Sequence, residues 1–181
     1  VKLRLLAFSD QGEALARRLA QALEGEAARC GQPLSLAQWT ADGFAQADGL
    51  IFVGAAGIAV RAIAPWVKSK TTDPAVVVVD ECAHFAVPIL SGHLGGANDL
   101  ARRIARLCGA VPVLTTATDA HGVFAVDEWA KRQACAVVEP ERIKLVSGAV
   151  LAGRRIRVYS PWTIQGEPPD GLEQVDSQDC H

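Results

Sequence analysis

Apolar residues along this chain keep two rhythms. Short runs of strand-like composition occur at Lys2–Phe8, Leu34–Gln38, Leu50–Val53, Ala75–Val79, Phe85–Leu90, Val111–Leu114, Ala136–Val138 and Arg155–Tyr159, and stretches of helical spacing fill most of the gaps. Continuous apolar runs bounded by turn residues suit strands covered on both faces. The helix expected over Gly12–Gly25 puts Leu15, Leu19 and Leu23 on one stripe, with Ser9 and Asp10 available as caps. Ala97–Cys108 repeats this plan, and shorter helices are expected over Asp127–Gln133 and Glu141–Leu151. Alternation of this kind predicts an α/β protein with a mostly parallel sheet flanked by helices.

One connection breaks the parallel rule. Only Asp80–His84 separates the runs Ala75–Val79 and Phe85–Leu90, enough for a hairpin and too little for a helical crossover, so these two strands are expected to be antiparallel. A softer break near His121–Gly122 suggests an N-terminal α/β domain over 1–121 and a small α/β satellite over 122–159. From Ser160 to His181 prolines and acids accumulate without Lys or Arg, the composition of a linker or acidic tail.

Composition narrows the function. The chain has 181 residues, 50% of them hydrophobic and 21% charged, enough for a real core without disulfides or a structural metal. Its net charge of -2 shows no basic excess for phosphate, so nucleic acid is not an expected partner. The uncharged stretch Gly49–Val60 is short and broken by glycine, so no membrane partner is expected either. Cys30, Cys82, Cys108, Cys135 and Cys180 are odd in number and widely spaced, which points to a reduced, cytoplasmic setting and to cysteines used as small buried apolar residues. The sequence has no methionine, even at position 1, which suggests a processed or excised segment.

Glycine and polar residues gather in four segments at strand ends. Gly54–Gly57, followed by Arg61, can bring a ligand against backbone N–H groups, or can simply make a tight turn. Lys70, Thr71, Thr72 and Asp73 precede the strand at Ala75, where Asp73 could equally cap a surface loop. Ser91, Gly92, His93, Gly95, Gly96 and Asn98 leave its hairpin partner, and antiparallel pairing places them beside Lys70–Asp73. Thr115, Thr116, Thr118 and Asp119 follow Leu114 and offer either ligand contacts or a capping turn. If the strand at Phe85 ran parallel to those at Leu50 and Val111, all four segments would share one sheet edge. Arg61 and Lys70 suit substrate carboxylates, and His93 can move a proton near neutral pH if Asp73 or Asp119 orients it, against an equally weighted structural role. His84 and His121 read as surface turn residues.

Phosphate-loop, dinucleotide-binding, nucleophile-elbow and zinc-protease motifs are all absent, which removes support from nucleotide hydrolysis and zinc proteolysis. The stretches GAAGIAVRAIAPWVKSKTTDPAVVVVDE, FAVPILSGHLGGANDLARRIA and PVLTTATDAHGVFAVDEWA resemble the N-terminal and central parts of the cobalt-precorrin-5A hydrolase family of anaerobic cobalamin biosynthesis. The resemblance is dense over Leu50–Lys131 and thinner to Tyr159, and the family's further C-terminal domain has no counterpart here.

That resemblance implies hydrolytic opening of the δ-lactone of a ring-contracted corrinoid, giving cobalt-precorrin-5B and acetaldehyde. It implies no cofactor and no protein metal site, since the cobalt travels with the substrate. The corresponding expectation is that His93 activates water, Asp73 or Asp119 orients it, and Lys70 or the N–H groups around Gly95 and Gly96 hold the oxyanion. Expected partners are the corrinoid, the family's C-terminal domain or other pathway enzymes, with homo-oligomerisation left open. The competing reading is a non-catalytic corrinoid-binding subunit that needs the C-terminal domain for activity.

Overall fold

The structure is a computed structural model, and it describes residues 1–31, 33–164 and 167–176. The chain forms two compact units that divide between Leu114 and Thr115. The first contains a six-stranded sheet of β1 (Leu3–Ala7), β2 (Glu26–Arg29), β3 (Gly49–Val53), β4 (Ala75–Val79), β5 (Phe85–Leu90) and β6 (Val111–Pro112), in the order β2-β1-β3-β4-β5-β6. β1 to β4 are mutually parallel, while β5 pairs antiparallel with β4 and parallel with β6.

Period-two alternation sorts the central side chains onto two faces. Leu3, Leu5 and Ala7 of β1, Ile51 and Val53 of β3, and Val77 and Val79 of β4 join one core, which α1 (Asp10–Leu23) and α4 (Ala97–Cys108) cover. Leu6, Leu50, Phe52, Val76 and Val78 turn to the other face, beneath α2 (Leu36–Gln46) and α3 (Ala56–Ile63). Every residue of β3 and β4 is buried, which is why their sequences read as unbroken apolar runs.

Two expected strands are absent. Leu34–Gln38 is not a strand: Ser35 caps a helix there by accepting a hydrogen bond from Gln38 N, and Leu36, Trp39, Thr40 and Gly43 follow helical spacing. Trp39 is 1% exposed and sets its ring edge against Phe52 at a centroid distance of 5.3 Å. The strand in this part of the sheet is instead Glu26–Arg29, whose modest β-propensity is overridden by ladder pairing with Arg4–Ala7. Ala136–Val138 also forms no strand, and Val138 is 92% exposed, with no partner to satisfy a ladder.

The β4–β5 hairpin forms over the expected residues, with Val79 opposite Ala86 and Val78 opposite Val87. A register shift between Val76 and Val77 lies near Pro88, which has no N–H to give the ladder. The second unit packs α5 (Ala117–His121), α6 (Val126–Arg132) and α7 (Ile143–Leu151) with a parallel pair, β7 (Ile156–Tyr159) and β8 (Leu172–Val175). β8 lies inside the stretch expected to be linker or tail, and residues 177–181 of that stretch, Cys180 included, fall outside the described residues. Among the described residues no helix is long and apolar enough to cross a membrane.

Replacing Trp39 with alanine is expected to lower unfolding free energy by about 3–5 kcal/mol in a urea titration, because neighbours collapse only partly into the vacated volume. Val138→Ala, at an exposed position, is expected to stay within about 0.5 kcal/mol of the parent.

Candidate functional site

Because β5 runs opposite to β3, the four segments do not share one edge of the sheet. β1, β3 and β4 finish at one edge, and β5 and β6 finish at the other. Gly54–Arg61 follows β3 and leaves from the first edge, whereas Lys70–Asp73 and Ser91–Asn98 meet at the second. A five-residue strand separates the two edges by about 15 Å.

At the second edge two loops are tied together through the backbone. Ser91 Oγ donates to the Asp73 carbonyl at 3.0 Å, and both residues are only 7% exposed. The Asp73 carboxylate is committed to its own loop, where Oδ2 accepts from Lys68 N at 2.8 Å and from Ser69 N at 3.0 Å. Asp73 therefore shapes this turn, its carboxylate bonded to the backbone of Lys68 and Ser69. Lys68, Lys70, Thr71 and Thr72 are left exposed around it, and neither lysine is in an ion pair among the described residues.

Ser91 adopts a left-handed backbone with φ 56°, an unfavourable conformation for a side-chain-bearing residue. Its carbonyl accepts from Ala97 N at 3.1 Å and that of Gly92 from Asn98 N at 3.0 Å, so the loop folds back over the start of α4. Gly96 N donates to the His93 carbonyl at 3.0 Å, which takes this N–H from the pair expected to hold an oxyanion. Gly95 admits no side chain: a Cβ there would lie 2.3 Å from Ser91 Cβ and 2.8 Å from the Ser91 carbonyl oxygen. Gly96, at φ 85°, supplies the left-handed residue that starts the helix. The result is a compact turn in which half-buried His93 and Gly92 sit beside buried Asn98.

The fourth segment opens the second unit. Thr116 Oγ1 donates to Asp119 Oδ2 across the first turn of α5, Thr118 is buried and Thr115 exposed. Thr116 stands at the N-cap position of α5, but no side-chain hydrogen bond caps the helix there.

The first edge carries chemistry that sequence reasoning passed over. Gly54 N donates to the Val79 carbonyl at 2.8 Å, placing the glycine loop beside the hairpin turn Asp80–His84. Arg61 turns back along its helix, donating from Nη1 to the Gly57 carbonyl at 3.1 Å. Ser9 Oγ donates to Glu81 Oε2, and Gln11 Nε2 approaches Cys82 Sγ at 3.7 Å. Cys82 and Cys135 are exposed and Cys30 and Cys108 half-buried, so these cysteines are not the fully buried apolar residues expected. His84 lies 3.4 Å from Asp80 Oδ1 and belongs to a cluster, although its turn had suggested an isolated surface residue. The alternating positions 80, 82 and 84 were the available signal.

Burial of the Asp80 carboxyl tends to raise its pKa, but the backbone N–H groups of Phe85, His84 and Cys82 and the nearby His84 imidazole outweigh it and hold the pKa below the ordinary 3.8. A depressed carboxylate stabilises the fold above its unfolded pKa and loses that contribution as pH falls through the folded value.

The first unit is thus a doubly wound α/β domain, a class that presents ligand-binding loops at the ends of its strands. Residues 38–119 match the family described as cobalamin synthesis G N-terminal, and residues 124–181 match the cobalamin biosynthesis central region. The chain belongs to this cobalamin biosynthesis G family. It is 54% identical over 84 residues to a cobalt-precorrin-5A hydrolase of Salmonella typhimurium, a match covering 46% of this chain and 24% of the relative. It is 42% identical over 115 residues to the Priestia megaterium protein of the same name, covering 64% of this chain and 31% of the relative. The chain therefore spans under a third of the length of these relatives. A crystal structure of a cobalamin biosynthesis protein G homolog from Sulfolobus solfataricus has the same fold, with a TM-score of 0.57, 21% identity, and coverage of 98% of this chain and 56% of that one.

Two substitutions test the local account. Gly95→Ala is expected to cost about 1–3 kcal/mol in chemical unfolding, as overpacking does, whereas Gly148→Ala, in open space on α7, should be neutral or stabilising by up to about 1 kcal/mol. For Asp80→Asn, the stability deficit relative to the parent is expected in full at neutral pH and should shrink below pH 3.8, read from unfolding curves at stepped pH.

Proposed function

We propose that this chain provides the N-terminal and central regions of a cobalt-precorrin-5A hydrolase, which opens the substrate's δ-lactone with release of acetaldehyde. The observation that carries this reading is the pair of family matches over residues 38–119 and 124–181, together with relatives of that name at 54% and 42% identity. The loops at the second sheet edge support it chemically. A corrinoid intermediate carries several carboxylates, and Lys68 and Lys70 stand exposed beside the His93 loop to attract them.

In this reading His93 takes a proton from water as the water attacks the lactone carbonyl and the ester C–O bond breaks; the alkoxide so formed collapses to acetaldehyde as its C–C bond to the macrocycle breaks, and the ring carbon that keeps the electron pair takes the proton back from His93. The Lys70 ammonium is the available charge for the developing oxyanion. Asp73 contributes by holding the Lys68–Ser69 backbone, and so positions Lys70 rather than the histidine. The reading gives no role to Gly54, Gly57 and Arg61, since the loop after β3 begins at the opposite end of the sheet from His93.

The test is acetaldehyde release from cobalt-precorrin-5A, measured with the chain alone and with the remaining segment of the Priestia megaterium relative added. We expect turnover in at least one of the two, and a fall of about 10²–10⁴-fold in kcat for His93→Ala. Unchanged turnover in His93→Ala removes the catalytic role. Tight corrinoid binding without acetaldehyde under both conditions replaces hydrolysis with a substrate-binding role.

A further inference from the structure

We propose that the β4–β5 hairpin turn is a binding site for one borderline divalent transition-metal ion, of which zinc is the natural representative. It stands apart from the reaction proposed above and does not rest on it. Asp80, Cys82 and His84 occupy alternate positions of the turn, and one donor atom from each lies within 4.8 Å of the other two. The separation of His84 Nδ1 from Asp80 Oδ1 is 3.4 Å. A tetrahedral ion with metal–nitrogen and metal–oxygen bonds of about 2.0–2.2 Å places two such ligands about 3.4 Å apart. That edge of the polyhedron is already at its required length. Sulfur, bonded at about 2.3 Å, belongs about 3.6 Å from the others, a shift that a small side-chain rotation of exposed Cys82 supplies.

The backbone holds this arrangement open. Ala83 takes a left-handed conformation with φ 58° and donates from its N–H to the Asp80 carbonyl at 2.9 Å, so the turn is tight. Cys82 N and Phe85 N donate to Asp80 Oδ1 and Oδ2 at 3.0 and 2.6 Å, which orients the carboxylate and leaves further lone pairs on each oxygen. From outside the turn, Gln11 Nε2 approaches Cys82 Sγ at 3.7 Å, the kind of outer contact that aims a metal ligand. Glu81 is drawn aside by Ser9 and does not compete for the ion.

The donor set chooses the metal. One sulfur, one imidazole nitrogen and one carboxylate oxygen suit zinc, cobalt or nickel, and are poor company for calcium or magnesium, which take oxygen almost exclusively. Three protein donors leave a fourth position for water or an exogenous ligand. An open recess of about 290 Å³, bordered by Gln11, Arg18, Glu81 and Cys82, adjoins the turn on its Cys82 side.

The probe is cobalt(II) added to the reduced, metal-free protein, followed by sulfur-to-cobalt charge-transfer absorbance in the near ultraviolet and the visible bands of a four-coordinate ion. We expect saturation at one ion per chain and displacement by zinc. Cys82→Ser is expected to abolish the charge-transfer band, and His84→Gln to weaken binding at least about 100-fold, more than the loss of an outer-shell contact costs. Both positions are exposed, so these variants should fold, which circular dichroism checks. Cys135→Ser, an exposed cysteine of the second unit, should leave the titration unchanged. Absence of a charge-transfer band in the parent overturns the proposal, as does a band that survives in Cys82→Ser.

Discussion

The reversal of direction between β4 and β5 is the constraint from which the placement of every functional segment follows. Four parallel strands send their following loops to one edge, and a five-residue turn then makes β5, and β6 beside it, finish at the other. The turn holds because Asp80 satisfies the N–H groups of Cys82 and Phe85 while Ala83 takes the left-handed conformation that a tight reversal needs. β4 is buried along its whole length, so its register cannot slip without exposing valines, and the hairpin closes on a fixed rail. The glycine loop after β3 and the His93 loop after β5 thus serve separate edges.

At the second edge the unfavourable backbone of Ser91 is held by several contacts at once. Its hydroxyl is anchored on the Asp73 carbonyl, its own carbonyl receives the first N–H of α4, and Gly95 alone leaves room for its Cβ. Strain that persists under such support recurs where a loop must hold a particular shape for a ligand. Here it fixes the backbone on either side of His93, while Lys68 and Lys70 of the neighbouring loop are exposed.

Much of the architecture is legible in the residues. β4, β5 and α4 occupy the expected positions because the continuous apolar runs of the two strands and the 3.6-residue period of the helix were strong there and the bounding turns were short. Where the pattern was short, it misled: Leu34–Gln38 reads as alternating, but Ser35 and the spacing of Leu36, Trp39 and Gly43 make a helix. β2 was invisible because Glu26–Arg29 is a weak edge strand whose existence depends on β1 offering an unpaired ladder. Of the site, the adjacency of Lys70–Asp73 and Ser91–Asn98 followed from the hairpin alone. The Asp80–Cys82–His84 cluster did not: alternate spacing put the three residues in one turn, but only the closed turn brings their donor atoms within reach of one another.

The chain's own chemistry determined that there would be an α/β sheet, that two strands would pair antiparallel, and that the polar and glycine-rich segments would fall at strand ends. Those are local matters, set by side-chain periodicity and by how far a few residues can reach. Tertiary structure alone decided which ends coincide, because strand direction relative to a distant neighbour depends on the whole sequence of crossovers. It also decided what each carboxylate does: Asp73 and Asp80 both satisfy backbone N–H groups, roles that appear only once the turns have closed around them.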